Sequence, residues 1–293
     1  MASRLAWVLN LDADLELEAG EGYAPSKSVR RAMGAHVETL RRSLLSADDL
    51  LVDDHAPSSS ARGCIGRAFC PTPRALDRLH RAGATPEAHP PFDVLRRVNG
   101  RAFAASLGPT LPGGAFVREL DDAIVRLGEP PPVGEGWRIK RAFGMAGRGQ
   151  RVVAAGELDP RAQAFLRDAI HEGGAQLEPN VSIDLELAQH GLLAAHGSVR
   201  LGALVRQRCD ARGAWRATER IDDLVALGDC PALLRAEAQR VARALAAEGY
   251  FGPFGIDAFL YRDRAGARRL QPRSEINARY SMGFAIGFGR QPR

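Results

Sequence analysis

The sequence has 293 residues, of which 45% are hydrophobic and 26% charged. This ordinary globular composition has room for one large core or two to three lobes. No apolar run approaches the roughly 18 residues of a membrane span, and the first apolar stretch is too short and too quickly followed by acids for a secretory signal, so a cytoplasmic protein with no membrane partner is expected. The net charge of +5 comes from dispersed arginines, without the like-charge blocks of a nucleic-acid-binding tail.

In chain order, residues 4–10 read as a strand. Residues 26–46 repeat Val29, Met33, Val37, Leu40 and Leu44 at three- and four-residue steps, the spacing of an amphipathic helix. A second strand is expected at 49–54, and then a helix with Thr72 as N-cap, Pro73 in its first turn and Gly83 as its stop. Helix and strand in alternation predict an N-terminal α/β lobe over 1–91, ended by the proline-rich segment 84–91. Residues 92–108 read as one helix and 117–128 as a shorter one. Residues 137–153 read as strand, glycine-rich loop, strand, followed by a helix over 159–173. An extended stretch at 175–188 is interrupted by Pro179, and antiparallel strands over 191–217 turn at 211–213. The segment 230–249 is a helix ending on Gly249, and 250–277 is a hairpin turning near Gly266. The four cysteines, Cys64, Cys70, Cys209 and Cys230, match no metal or redox spacing and read as packed or surface thiols.

Three pieces carry chemistry. The first is "GMAGRG" at 144–149, preceded by Lys140, one of only two lysines. Gly144, Gly147 and Gly149 let backbone N–H groups approach a phosphate closely; Arg148 and Lys140 add charge. The order is neither a P-loop nor GxGxxG before a helix, and a plain hairpin loop is the alternative. The second is the late hairpin. Asp257 sits in an apolar strand, where an acid is costly unless paired or metal-bound. Glu275, Asn277 and Arg279 alternate on the returning strand and share one side if it is extended. Two carboxylates and an amide suit Mg²⁺ with substrate phosphates, and Arg279 suits a phosphate; a salt-bridged strand pair is the alternative. The third is Glu178 before Pro179, a candidate hinge contact to a nucleotide, with Asp184 or Glu186 for ribose hydroxyls; solvated linker acids are the alternative.

In this order the pieces resemble the ATP-grasp superfamily, from about Phe92 to Gly283. The resemblance rests on Lys140 with "GMAGRG", Glu178, Asp257, and Glu275-Ile-Asn277-Ala-Arg279. It implies an α/β (α+β) protein with an N-terminal lobe at 1–91, a small lobe at 92–176 and a large lobe at 177–293. It also implies ATP and Mg²⁺, with Mn²⁺ as an alternative metal. Lys140 would contact phosphate, Glu178 the adenine edge, and Asp184, or else Glu186, the ribose. Asp257, Glu275 and Asn277 would hold the metal, and Arg279 would stabilise the acyl-phosphate transition state. Arg101 falls where the family often has a further phosphate-binding lysine. The implied activity is an ATP-dependent carboxylate–amine (or thiol) ligase that releases ADP and phosphate. Its partners would be a small carboxylate and a nucleophile, or a peptide, and a homodimer is compatible with it. The alternatives are a kinase-like phosphotransferase and a nucleotide- or nucleic-acid-binding protein without ligase activity. One departure stands out. Many family members have an arginine two residues before the strand acid; here that residue is Gly255, leaving Arg200, Arg206 or Arg208 to fill the role. The chain also ends ten residues after Gly283, without a biotin-attachment segment.

Overall fold

The computed structural model describes residues 4–109, 111–144, 147–156, 158–210 and 213–290. The N-terminal lobe contains β1 (Leu5–Val8), α1 (Ala13–Ala19), α2 (Lys27–Leu44), β2 (Leu50–Leu51), β3 (Ile65–Ala68), α3 (Pro73–Arg81) and β4 (Thr85–Pro86). Its strands form a parallel sheet in the order β2-β1-β3-β4. The unbroken apolar run of β1 reflects burial on both faces, as parallel sheets require: Leu5 and Trp7 pack with α2, Ala6 and Val8 with α3. Ser26 caps α2 as its position demands, accepting a hydrogen bond from Val29 N. Thr72 occupies the N-cap position of α3 but makes no cap bond. Its hydroxyl instead donates to Glu16 Oε2 at 2.7 Å, because α1, which the periodicity did not reveal, brings a buried acid against it.

The helix expected over 92–108 is two helices, α4 (Phe92–Asn99) and α5 (Arg101–Ser106). Gly100 between them is extended, with φ −73° and ψ 141°. Tertiary bonds hold the break: Arg101 N donates to Ala142 O at 3.0 Å, and Ala278 N to Asn99 Oδ1 at 2.9 Å. The bend turns Arg101 toward the other lobes.

The small lobe follows, with β5 (Ala115–Val117), α6 (Leu120–Gly128), β6 (Trp137–Arg141), β7 (Gln150–Val153), α7 (Pro160–His171) and β8 (Ala175–Pro179). The sheet order is β5-β8-β6-β7, antiparallel throughout. The large lobe has β9 (Ser182–Leu193), β10 (Val199–Cys209), β11 (Trp215–Arg220), α8 (Cys230–Ala247), β12 (Gly252–Arg262), β13 (Arg268–Asn277) and α9 (Phe284–Phe288). Its antiparallel sheet runs β11-β10-β9-β12-β13. The turn expected at 211–213 joins β10 to β11; Ala211 and Arg212 lie outside the described residues. One face of this sheet packs on α8, and Val94, Leu95, Val98 and Phe103 of α4 and α5 join that same core. Residues 92–106 therefore pack with the large lobe, and α5 touches β5 and β8 of the small one as well. The boundary expected at 176/177 falls inside β8, which belongs wholly to the small-lobe sheet. Tyr280 and Phe284 reach back into the N-terminal core beside Trp7 and Leu40, so the chain's last segment ties the N-terminal and large lobes together. No helix among the described residues is long and apolar enough to cross a membrane.

Candidate active site

The three lobes enclose a cavity of about 710 Å³. Its floor is the face of the large sheet not covered by α8. Strand pairing sets Asp257 opposite Glu275 and Gly255 opposite Asn277. Side chains of paired residues share a face, so Asp257, Glu275 and Asn277 all border the cavity. Ile256, Ala258 and Ile276 point the other way, into the α8 core. The strand stops at Asn277, two residues short of Arg279, but Arg279 borders the same cavity.

Asp257 accepts from two amides, Gln207 Nε2 at 2.6 Å and Asn277 Nδ2 at 2.9 Å. Its pKa is pushed up to about 6, first by burial and then by the charge of Glu275. Glu275 Oε1 accepts from Arg101 Nη2 at 2.8 Å. Two carboxylates thus face one cavity with repulsion between them and neutral amides at their side. A divalent cation relieves that repulsion. Among the described residues no group of three or more His, Cys, Asp or Glu forms a metal cluster. Two carboxylates and one amide fit Mg²⁺, which keeps several waters and takes its other ligands from substrate phosphates. An Asn277 amide turned to present its oxygen would complete the set.

The opposite wall comes from the small lobe. Alternation on β6 and β8 sends Trp137, Ile139 and Leu177 into the small-lobe core and leaves Arg138, Lys140 and Glu178 bordering the cavity. Lys140 Nζ and Glu178 Oε2 are 2.6 Å apart, and both side chains are about nine-tenths buried. The two groups expected to contact phosphate and base separately are here each other's partners. Arg138 Nη2 donates to Asn180 Oδ1 at 2.8 Å. The Gly144–Gly149 loop closes this wall. A side chain at Gly144 would bring its Cβ to 2.9 Å from Arg148 O and 3.0 Å from Arg101 Nη1. Only glycine leaves room for that arginine, which donates to Arg141 O at 2.8 Å as well as to Glu275. Gly147 and Gly149 have φ of 74° and 75°, open to glycine at little cost. Met145 and Ala146 lie outside the described residues. Arg148 borders the cavity.

At the hinge end, Asp184 lies where the register of β9 against β12 shifts. Its carboxylate faces Arg262 at 3.2 Å and Arg268 at 3.8 Å. Glu186, one step along the same face, accepts from Cys209 N at 3.1 Å. Burial, and then the hydrogen bond to Glu186, push the Cys209 thiol up, so it is a poor nucleophile.

Arg279 is held from the N-terminal lobe. Its Nε and Nη2 donate to the two oxygens of Asp14, at 3.0 and 2.6 Å, and Nη1 donates to Tyr280 O at 3.1 Å. Burial opposes its charge, but Asp14 more than offsets this and raises its pKa above the ordinary arginine value. Sequence reasoning missed Asp14. The available signal was an acid just past the carboxyl end of the first parallel strand, where open α/β sheets place their ligands. Gln207 was missed too, between two arginines that drew notice. Arg206 and Arg208 alternate with Gln207 along β10 but still border the cavity, and Arg208 Nε bonds Glu219 at 2.6 Å; Arg200 stacks on Phe288. The glycine at 255 also has a physical reason. Its strand partner is His190, and a Cβ at 255 would lie 3.1 Å from His190 Cδ2. The imidazole occupies the space that a side chain at 255 would need.

The N-terminal α/β lobe and the two lobes closing on one cavity define the ATP-grasp fold. The chain is similar in fold to several solved structures. D-alanyl-alanine synthetase A from Vibrio cholerae matches 99% of this chain and 92% of its own, with a TM-score of 0.56 at 12% identity. Rhizobium etli pyruvate carboxylase matches 96% of this chain and 26% of its own, with a TM-score of 0.54 at 16% identity. N5-carboxyaminoimidazole ribonucleotide synthetase from Thermus thermophilus matches 94% and 71%, with a TM-score of 0.50 at 20% identity. No protein-family model and no curated protein matches the chain. At such identities the likeness is one of fold.

Proposed function

We propose that this protein is an ATP-dependent carboxylate–amine or carboxylate–thiol ligase. The observation that carries the reading is the set of groups on one cavity: Asp257 and Glu275 side by side, Arg101 and Arg279 beside them, and the Lys140–Glu178 pair on the facing wall. Such a site supplies positioning and charge stabilisation, which is most of what phosphoryl transfer asks of a protein.

In this reading Lys140 exchanges its Glu178 contact for nucleotide phosphate, and Glu178 turns to the exocyclic amine of the base. Glu186 takes the ribose hydroxyls in preference to Asp184, which two arginines already hold. Asp257, Glu275 and Asn277 hold Mg²⁺, which supplies neutralisation of phosphate charge. A substrate carboxylate oxygen attacks the γ-phosphorus and the bond to the β,γ-bridging oxygen breaks, leaving ADP and an acyl phosphate. An amine or thiol then attacks the acyl carbon and expels phosphate. Arg101 and Arg279 face the negative charge that builds on the transferred group.

The deciding assay is ADP release with ATP and Mg²⁺, scored with acid alone, nucleophile alone, and both. Release requiring both supports a ligase. Full release with a phosphoryl acceptor alone would replace it with a kinase-like phosphotransferase.

A further inference from the structure

The cavity extends past Arg279 to an end built differently from the rest. This end is walled by the N-terminal lobe, β11 and the turn after β13. Leu11, Met33, His36, Phe69, Trp215 and Met282 border it. His36 of α2 meets Trp215 of β11 edge-on, with ring centroids 5.8 Å apart. Arg279 lies over the Phe69 ring at 5.5 Å. The indole N–H of Trp215 is taken by Thr218 Oγ1 at 2.8 Å, so the ring offers this space only apolar surface.

Most of the charge at this end is already matched. Arg279 is held by Asp14, Arg208 by Glu219, and Asp210 by Arg216 at 2.9 Å. Arg206 also borders the cavity, with Glu219 as its strand partner. One polar group is unmatched: Ser281 Oγ is buried, borders the cavity two residues after Arg279, and has no hydrogen-bond partner among the described residues. An orphaned buried hydroxyl costs stability until a ligand satisfies it.

Resting on the ligase reading, we infer that this end binds the acid to be activated, and that the acid is a monocarboxylate with an uncharged, apolar or aromatic body. Its carboxylate accepts from Ser281 Oγ and faces the remaining N–H groups of Arg279, within the phosphoryl-transfer region. Its body lies among Met33, His36, Trp215 and Met282. A second carboxylate or a phosphate placed among these rings would lose its hydration against apolar surface.

The test uses the full chain with ATP, Mg²⁺ and hydroxylamine, which captures an acyl phosphate as a hydroxamate. The probes are 3-phenylpropionate and hexanoate against succinate and 3-phosphoglycerate. Direct binding is read from tryptophan fluorescence, because Trp7 and Trp137 are buried at 3% and 2% exposure and Trp215 alone borders the cavity. The apolar acids are expected to support ADP release and to change the fluorescence, and the charged-body acids to do neither. Trp215→Ala should raise the KM for the acid about tenfold, the loss of one aromatic contact, with the KM for ATP unchanged; Trp215→Phe should recover most of it. Turnover with succinate or 3-phosphoglycerate while the apolar acids are silent would overturn the inference and leave the ligase reading standing. So would an unchanged acid KM in Trp215→Ala. Bound nucleotide with no ADP release for any acid would overturn the ligase reading, and this inference with it.

Discussion

The two ends of the cavity are made in opposite ways. The end proposed to face the nucleotide is polar and comes from regular strands, with Lys140 against Glu178 and Glu275 against Arg101. The far end is apolar around a hydroxyl with no partner among the described residues, and comes from α1, α2, β11 and the segment after β13. Arg279 stands between the two ends, and Asp14 of the N-terminal lobe holds it. The contrast teaches that the part proposed to handle phosphate is built into one sheet and its facing wall, whereas the part that would select a substrate depends on lobe docking.

The sharpest way to break this contrast is to cut the link between the ends. Asp14→Asn leaves Arg279 buried without its counter-charge. Removing one partner of a buried pair costs about 3–5 kcal/mol, readable as a lower urea midpoint. The account also expects kcat to fall with little change in the KM for ATP. An unchanged urea midpoint would mean that the N-terminal lobe does not hold the arginine.

The same contrast decides what could be read from the sequence. Asp257, Glu275 and Asn277 were legible because strand alternation and a hairpin turn place them by local pattern. Gly144–Gly149 was legible for a similar reason, since loop glycines carry their own conformational logic. Asp14 was not, because nothing local pairs it with a residue 265 positions away. The break at Gly100 was hidden too: the apolar spacing continues through it, and only bonds to Ala142 and from Ala278 stop the helix. Gln207 was masked by the arginines beside it, because charge draws notice where face decides.

A slightly smaller effect is expected from His190, which lies under α9 with Phe284 edge-on at 5.9 Å. Burial lowers its pKa from 6.5 to about 4. The unfolded chain therefore takes up the proton first. The neutral imidazole's contribution is fully present above pH 6.5 and is lost as the pH falls toward 4, about 3 kcal/mol in all. His190→Leu should flatten the stability profile across that window; a profile with the wild-type slope would assign the acid sensitivity elsewhere.

Smaller still is the effect of Gly255→Ala. The new Cβ would press on the His190 ring at 3.1 Å, and overpacking of this kind costs about 1–3 kcal/mol. Pairing it with His190→Ala should recover most of the loss. A single variant as stable as the wild type would show that the imidazole does not exclude a side chain at 255.

The most direct measurement of the central claim is thermal unfolding with Mg²⁺ and a non-hydrolysable ATP analogue, in the wild type and in Glu275→Gln. At 100 times its dissociation constant a ligand adds about 2.7 kcal/mol, a rise of a few degrees for a chain of this size. The account predicts a magnesium-dependent rise in the wild type and a much smaller one in the variant. No rise at saturating nucleotide, or an equal rise in both proteins, would contradict the assignment of Asp257, Glu275 and Asn277 to a metal–nucleotide site.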